Sequence, residues 1–216
     1  MTGTGRPGPH LVVHAHPVRE SFGRALFTAV LDTLDDLGAE VRSIDLYGEG
    51  FDPVLSLEEH RSHLAPAADK PAIADHVDAL RWAEHLVLVY PTWWSGVPAI
   101  LKGWFDRVWV NDVAFVLPDG SHTPRGGLGN ICSITVVTTH GSSKLRNLAQ
   151  GQSGRRMILR GLRSLCGLRC RSNWIAMYDL DRATQRDREE FVERVRGELT
   201  EQFAGGRFRL GRLAPR

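Results

Sequence analysis

Two adjacent aromatic side chains, Trp93 and Trp94, stand on a short loop between Pro91 and Pro98. The run before them, His85 to Tyr90, reads as a buried parallel strand, and the run after them reads as a helix. An open α/β sheet holds its ligands at the carboxyl ends of its strands. Two large rings placed there form a platform for a flat, conjugated ligand. Core or interface anchoring is the competing role, because aromatics dominate both. Adjacent loop residues do not readily enter one core together, so at least one is expected to face the crevice or a partner.

Two more loops point the same way. Ala15 to Gly23 ends where a helix begins, and free N–H groups and the dipole of a helix start favour a phosphate. Ser21 adds a hydroxyl, while His16 and Arg19 add donors or charge. Ser21 as a plain helix cap and His16 as a packed histidine fit the same residues, and this loop alone does not separate the readings. It lacks the Walker pattern, so a nucleotide triphosphatase is not supported. The third loop, Thr138 to Ser143, offers N–H groups for a polar ring edge and for negative charge developing on it. An ordinary polar loop would look alike. Together the three agree on one ligand, a flat ring with a phosphate arm.

The elements that must position these loops alternate along the chain. Strands are expected at His10–Ala15, Ala39–Leu46, His85–Tyr90, Asn130–Thr138 and about 168–176. Helices are expected at about 22–37, 71–83, 98–110, 155–166 and 184–203, with Ser21 as an N-cap and Gly38 as a stop. Residues 48–70 read as irregular or partly helical, with a turn at Phe51-Asp52-Pro53, and 111–129 as a long connection. Alternating strands and helices imply a parallel sheet covered on both faces. Five strands, with the chain reversing after the first βα unit, predict a flavodoxin-like three-layer sandwich in the α/β class. Residues 1–9 read as a flexible tail, 10–204 as one domain and 205–216 as a basic tail. Gly3-x-Gly5-x-x-Gly8 matches a dinucleotide fingerprint, but no strand precedes it and Pro7 sits inside it.

Bulk properties narrow the class. The chain has 216 residues, enough for one substantial domain, and 27 Lys and Arg against 25 Asp and Glu give a net charge of +2. That balance argues for neither nucleic acid nor an anionic membrane as the main partner. No apolar run approaches the ~18 residues of a membrane span, and the N-terminus lacks a signal-peptide core. Cys132, Cys166 and Cys170 have no paired metal spacing and read as buried or inert thiols in a reducing cytoplasm. His60-x-x-His63 reads as a solvated face rather than a metal site, because the HExxH order is absent.

The stretch Trp94-x-Gly96-Val97-Pro98-Ala99-Ile100-Leu101-Lys102-Gly103-Trp104-Phe105-Asp106-Arg107-Val108 resembles the flavodoxin-like NAD(P)H:quinone oxidoreductases of the DT-diaphorase type. Ala15-His16 with Ser21-Phe22, Asp45-Leu46-Tyr47 with Phe51-Asp52-Pro53, and Thr138-Thr139-x-Gly141 support the resemblance over residues 10 to 203. It implies a bound flavin. His16, Ser21, Phe22 and Gly23 would hold its phosphate arm; Pro91, Thr92, Trp93, Trp94 and Ser95 would lie along the ring. Thr138, Thr139, His140 and Gly141 would meet the pyrimidine edge. It also implies a homodimer with the site at the subunit boundary, where Phe115 and Leu117 approach the partner's flavin. Trp94, Ser95, Phe115 and Leu117 would line the substrate pocket. The implied reaction is ping-pong hydride transfer from NADH or NADPH to a quinone or similar acceptor. A related branch of flavin-containing regulatory subunits offers the alternative, a module acting on a protein partner.

This chain departs from the pattern at three places. His140 replaces a glycine at the flavin edge, where it and Arg146 are the candidate catalytic residues beside a flavin that does the chemistry. Arg146 and Gln152 stand where a Tyr and a His relay charge, so Arg146 would stabilise an anionic reduced flavin by charge. Ser95 stands where an aromatic often sits, which widens or polarises the pocket. The segment between the second strand and the helix at 71 is shorter than in the FAD-binding mammalian enzymes of the family, where it helps hold the adenine. That favours FMN, with FAD as the alternative, because little protein remains to bury an adenosine.

Overall fold

The computed structural model describes residues 7–65, 70–118 and 123–204. Asp119-Gly120 of the long connection, the glycines at 3 and 5, and the basic tail lie outside them. At the end of the expected N-terminal tail, the Pro9 carbonyl accepts from the N–H groups of Glu84 and His85 at 2.9 and 3.1 Å.

Five parallel strands form the central sheet: β1 (His10–His14), β2 (Val41–Asp45), β3 (His85–Pro91), β6 (Ser133–Thr139) and β7 (Arg171–Met177). Their order is β2-β1-β3-β6-β7, the doubly wound flavodoxin-like arrangement. The inner strands β1 and β6 are buried at every residue, whereas the edge strands β2 and β7 expose their amino-terminal halves. Helices on both faces therefore select near-continuous apolar runs only at the centre.

One face carries α1 (Phe22–Asp36) and α7 (Gln185–Phe203), whose Leu26, Phe27, Val30, Leu34, Phe191, Val195 and Leu199 form one apolar cluster. The other carries α3 (Ala74–Trp82) and α4 (Ala99–Val108), with the fully buried Trp104 and Leu101 at the centre of a second cluster. Ser21 caps α1 by accepting from the Arg24 N–H at 3.1 Å, and Gly38, at φ 69, turns the chain out. Gly103 lets α4 settle onto Pro53: a Cβ there would lie 2.5 Å from the Pro53 Cα. Arg107 completes that contact, bonding Glu59 of α2 (Leu57–Arg61) at 2.6 Å and lying over Phe51.

Three short features depart from the sequence expectation. The long connection contains a two-stranded antiparallel pair, β4 (Phe115–Val116) and β5 (Arg125–Gly126). A short helix, α5 (Lys144–Ala149), follows β6, capped by Ser143. The helix expected over 155–166 is instead α6 (Ser153–Arg156), a π turn (Met157–Gly161) and a 3₁₀ turn (Leu162–Leu165). Its apolar side chains Met157, Ile158, Leu159, Leu162 and Leu165 still pack on the core, so periodicity alone does not reveal the change of winding.

Candidate active site

The loops after β1, β3 and β6 converge at the carboxyl edge of the sheet, where two adjoining cavities of about 510 Å³ each open. That size lies within the ~300–1,000 Å³ usual for ligand pockets.

His16 and the start of α1 form one end. The Val18 N–H donates to His16 Nδ1 at 3.1 Å, which leaves Nε2 as the protonated, donating nitrogen. Burial lowers the His16 pKa, so the ring serves as a neutral donor. Gly23 lies against the ring; a Cβ there would sit 3.1 Å from His16 Cδ2. The N–H groups of Phe22 and Gly23 in the first turn have no intrahelical acceptor. Ser21 spends its oxygen lone pair on the cap and keeps its O–H to donate.

Trp93 to Gly96 is a tight turn closed by reciprocal backbone bonds of 2.9 and 3.2 Å. Its central residues, Trp94 and Ser95, both adopt left-handed backbone, at φ 48 and 60. For side chains with a Cβ this conformation costs about 1 kcal/mol or more each, and such strain gathers at functional sites. Ser95 Oγ donates to Gln150 at 2.7 Å, and the Ser95 carbonyl accepts from the Ser153 hydroxyl and the Gly154 N–H. These contacts hold the turn in place. Trp94 is wholly exposed at its tip and Trp93 is 40% exposed. Trp93 lies 6.2 Å from the His16 ring, so the aromatic wall meets the helix-start end.

The loops are latched together. The Thr92 N–H donates to the Thr139 carbonyl at 2.8 Å, and the Thr92 and Thr138 hydroxyls are 3.1 Å apart. His140 is 94% buried and stacks on Tyr178 at 4.5 Å between centroids. Burial lowers its pKa against a smaller opposing effect of Asn147, and neither ring nitrogen has a well-directed hydrogen bond. A buried imidazole without partners costs free energy unless a ligand satisfies it. Asn147 Nδ2 bonds the Ser142 and Ser143 carbonyls and pins the loop beneath it.

Of the residues singled out from sequence, His16, Phe22, Gly23, Pro91, Thr92, Trp93, Trp94, Thr139 and Gly141 line the first cavity. Ser95, His140 and Arg146 line the second. Ser21 and Thr138 stand behind the walls, as the α1 cap and as the latch to Thr92. Phe115 and Leu117 line neither cavity; Phe115 lies in β4 beside His63. A fourth wall carries no signal in the sequence: Asp179, Leu180, Asp181 and Arg182 after β7. Asp181 sits so close to Gly141 that a Cβ there would be 2.5 Å from its carboxylate. Backbone bonds from Leu180 to His140 and from Asp179 to Ser142 fix this wall.

Comparison with known proteins places these features in context. A family profile described as a flavodoxin-like fold matches residues 9–202. An uncharacterized NAD(P)H oxidoreductase of Haemophilus influenzae is 34% identical over 74% of this chain and 78% of its own length. NAD(P)H dehydrogenase [quinone] 1 of Rattus norvegicus is 32% identical over 67% of this chain. The match spans 57% of the rat protein, little more than half its length. An NAD(P)H:quinone oxidoreductase structure from Methanothermobacter marburgensis superposes with a TM-score of 0.73 at 26% identity, covering 88% of this chain and 94% of that one.

Proposed function

This chain belongs to the Flavodoxin_2 family of flavodoxin-like proteins, and on that premise we propose that it is a flavin-dependent NAD(P)H oxidoreductase reducing quinones or similar small acceptors. The observation that carries the reading is the convergence of a helix-start donor set, an aromatic wall and a polar edge on one cleft. The residues fit a flavin. His16 Nε2 and the N–H groups of Phe22 and Gly23 suit its phosphate. Trp93 and Trp94 flank a flat ring, and unpartnered His140 awaits a polar edge. When bound, a flavin would supply two-electron hydride chemistry, with nicotinamide and acceptor taking turns in the cleft. The chain's own part is to orient both partners and hold charge. Arg146 offers positive charge to an anionic reduced ring, and Ser95 leaves the acceptor pocket open. FMN is the expected flavin, because among the described residues of the segment between β2 and residue 71 the one helix is the short α2.

Phe115 and Leu117 stand apart from this cleft, which supports a homodimer in which they face the partner's site. Among the described residues no helix is long and apolar enough to cross a membrane. The wholly exposed Trp94 favours one second reading, a flavin module that passes electrons to a docked protein. A visible spectrum, chromatography of the released cofactor, and NADH or NADPH oxidation with menadione test these readings. Flavin absorbance, FMN on release and menadione-dependent turnover are expected. Flavin-loaded protein that does not turn over menadione would reject the enzyme reading, and colourless protein that resists reconstitution would reject both.

A further inference from the structure

Among the described residues, Asp181 is the one charged side chain lining the first cavity, and it lines the second as well. Backbone bonds between loops set its place. The His140 N–H donates to the Met177 carbonyl at the end of β7 at 2.8 Å, and the Leu180 N–H returns to the His140 carbonyl at 3.0 Å. Asp179 takes left-handed backbone at φ 57, and its N–H donates to the Ser142 carbonyl at 3.1 Å. A 3₁₀ turn (Leu180–Arg182) then carries Asp181 over Gly141. The carboxylate carbon and both its oxygens lie within 3.1 Å of where a Gly141 Cβ would stand, so the bare glycine is what admits them.

No hydrogen bond or ion pair among the described residues engages the Asp181 carboxylate, although Arg146 and Arg182 line the second cavity with it. The N–H groups of Gly141 and Ser142 likewise have no acceptor among the described residues. One strong acceptor thus lies beside two donors. A bare carboxylate repels a phosphate-bearing ligand and favours one that brings it a donor. The ligand edge that matches this set presents one N–H flanked by carbonyl oxygens, the pattern of a cyclic imide.

We propose that Asp181 recognises the flavin ring: its carboxylate accepts from N3–H, the one N–H on the ring of an oxidised flavin. The two carbonyls flanking N3 suit the loop N–H groups. This role rests on the flavin reading and narrows it from a general polar edge to recognition of an imide. Asp181 also brings a negative charge to the cleft into which Arg146 brings a positive one. The two residues therefore pull the flavin potential in opposite directions.

The test strips flavin from the full-length protein and titrates it with FMN and with N3-methyl-FMN, following the quenching of flavin fluorescence. The parent should prefer FMN about ten-fold, as expected for loss of a hydrogen bond to a charged group. In Asp181→Ala the preference should fall to within about two-fold. Asp181→Asn keeps an acceptor oxygen without the charge and should retain part of the preference. Spectroelectrochemistry of FMN-loaded Asp181→Asn should give a midpoint potential more positive than the parent's. Equal binding of both flavins by the parent, or an undiminished preference in Asp181→Ala, would overturn the assignment. Weaker FMN binding in Asp181→Ala with the preference intact would move the carboxylate to the ribityl chain and overturn it as well. A parent protein that binds neither flavin would instead overturn the flavin reading itself, and this role with it.

Discussion

Arg146 and His140 are two departures from the family pattern that line the second cavity. His140 is held neutral by burial, and Arg146 brings a fixed charge to the second cavity. Replacing Arg146 by Ala should make the two-electron midpoint potential of the bound flavin about 20 mV more negative, the equivalent of ~1 kcal/mol for a screened charge. Spectroelectrochemistry measures this without turnover, and an unchanged potential would remove the assigned role. Residue types and loop positions make most of the cavity lining of the candidate site legible in the sequence, because open sheets hold their crevice at the carboxyl edge. Asp181 and Leu180 follow the last strand, where the sequence has no aromatic pair or Thr-x-Gly stretch to mark a ligand loop. The pairing of Asp181 with Gly141 is long-range and leaves no periodic trace. Thr138 shows the converse limit: a polar residue at the right depth spends its hydroxyl on Thr92 inside the scaffold.

Whole elements were more legible than their windings. Central strands appear as apolar runs, and α1 and α7 as apolar stripes between a cap and a stop. The β4–β5 pair is two residues per strand, too short for period-two alternation to register. Residues 157–165 keep an apolar side whether wound as α, π or 3₁₀, so hydrophobic spacing cannot tell them apart. Close approach of backbones is equally silent until the fold is seen, as at Gly103 of α4. Gly103→Ala should destabilise the protein by about 1–3 kcal/mol, since the added methyl meets the Pro53 backbone, which cannot swing away. Urea unfolding of the flavin-loaded protein checks this. A midpoint within error of the parent would mean that α4 can slide without cost.

Taken as one molecule, the protein keeps a buried and a half-buried histidine, His10 and His85, far from the cleft. His10 and His85 lie 4.6 Å apart between ring centroids, against Phe203. Burial pushes their pKa values down to about 3 and about 4, from 6.5. Both are therefore neutral in the native state while the unfolded chain takes up protons below pH 6.5. Stability is intact above that pH and declines as pH falls toward 4, by up to ~1.4 kcal/mol per unit for each histidine. Between pH 7 and 5 the pair should cost roughly 4 kcal/mol of the loss read from urea midpoints. His85→Gln should lose about 2 kcal/mol less than the parent over that range, and an equal loss would reject the assignment. Six tryptophans are spread through the chain, yet Trp94 alone projects wholly into water while Trp104 is sealed in the core. The molecule thus carries its own optical reporter at the mouth of the cleft. Iodide should quench a red-shifted fraction of its emission, and a ring seated against Trp94 should shield that fraction, making occupancy readable without any label.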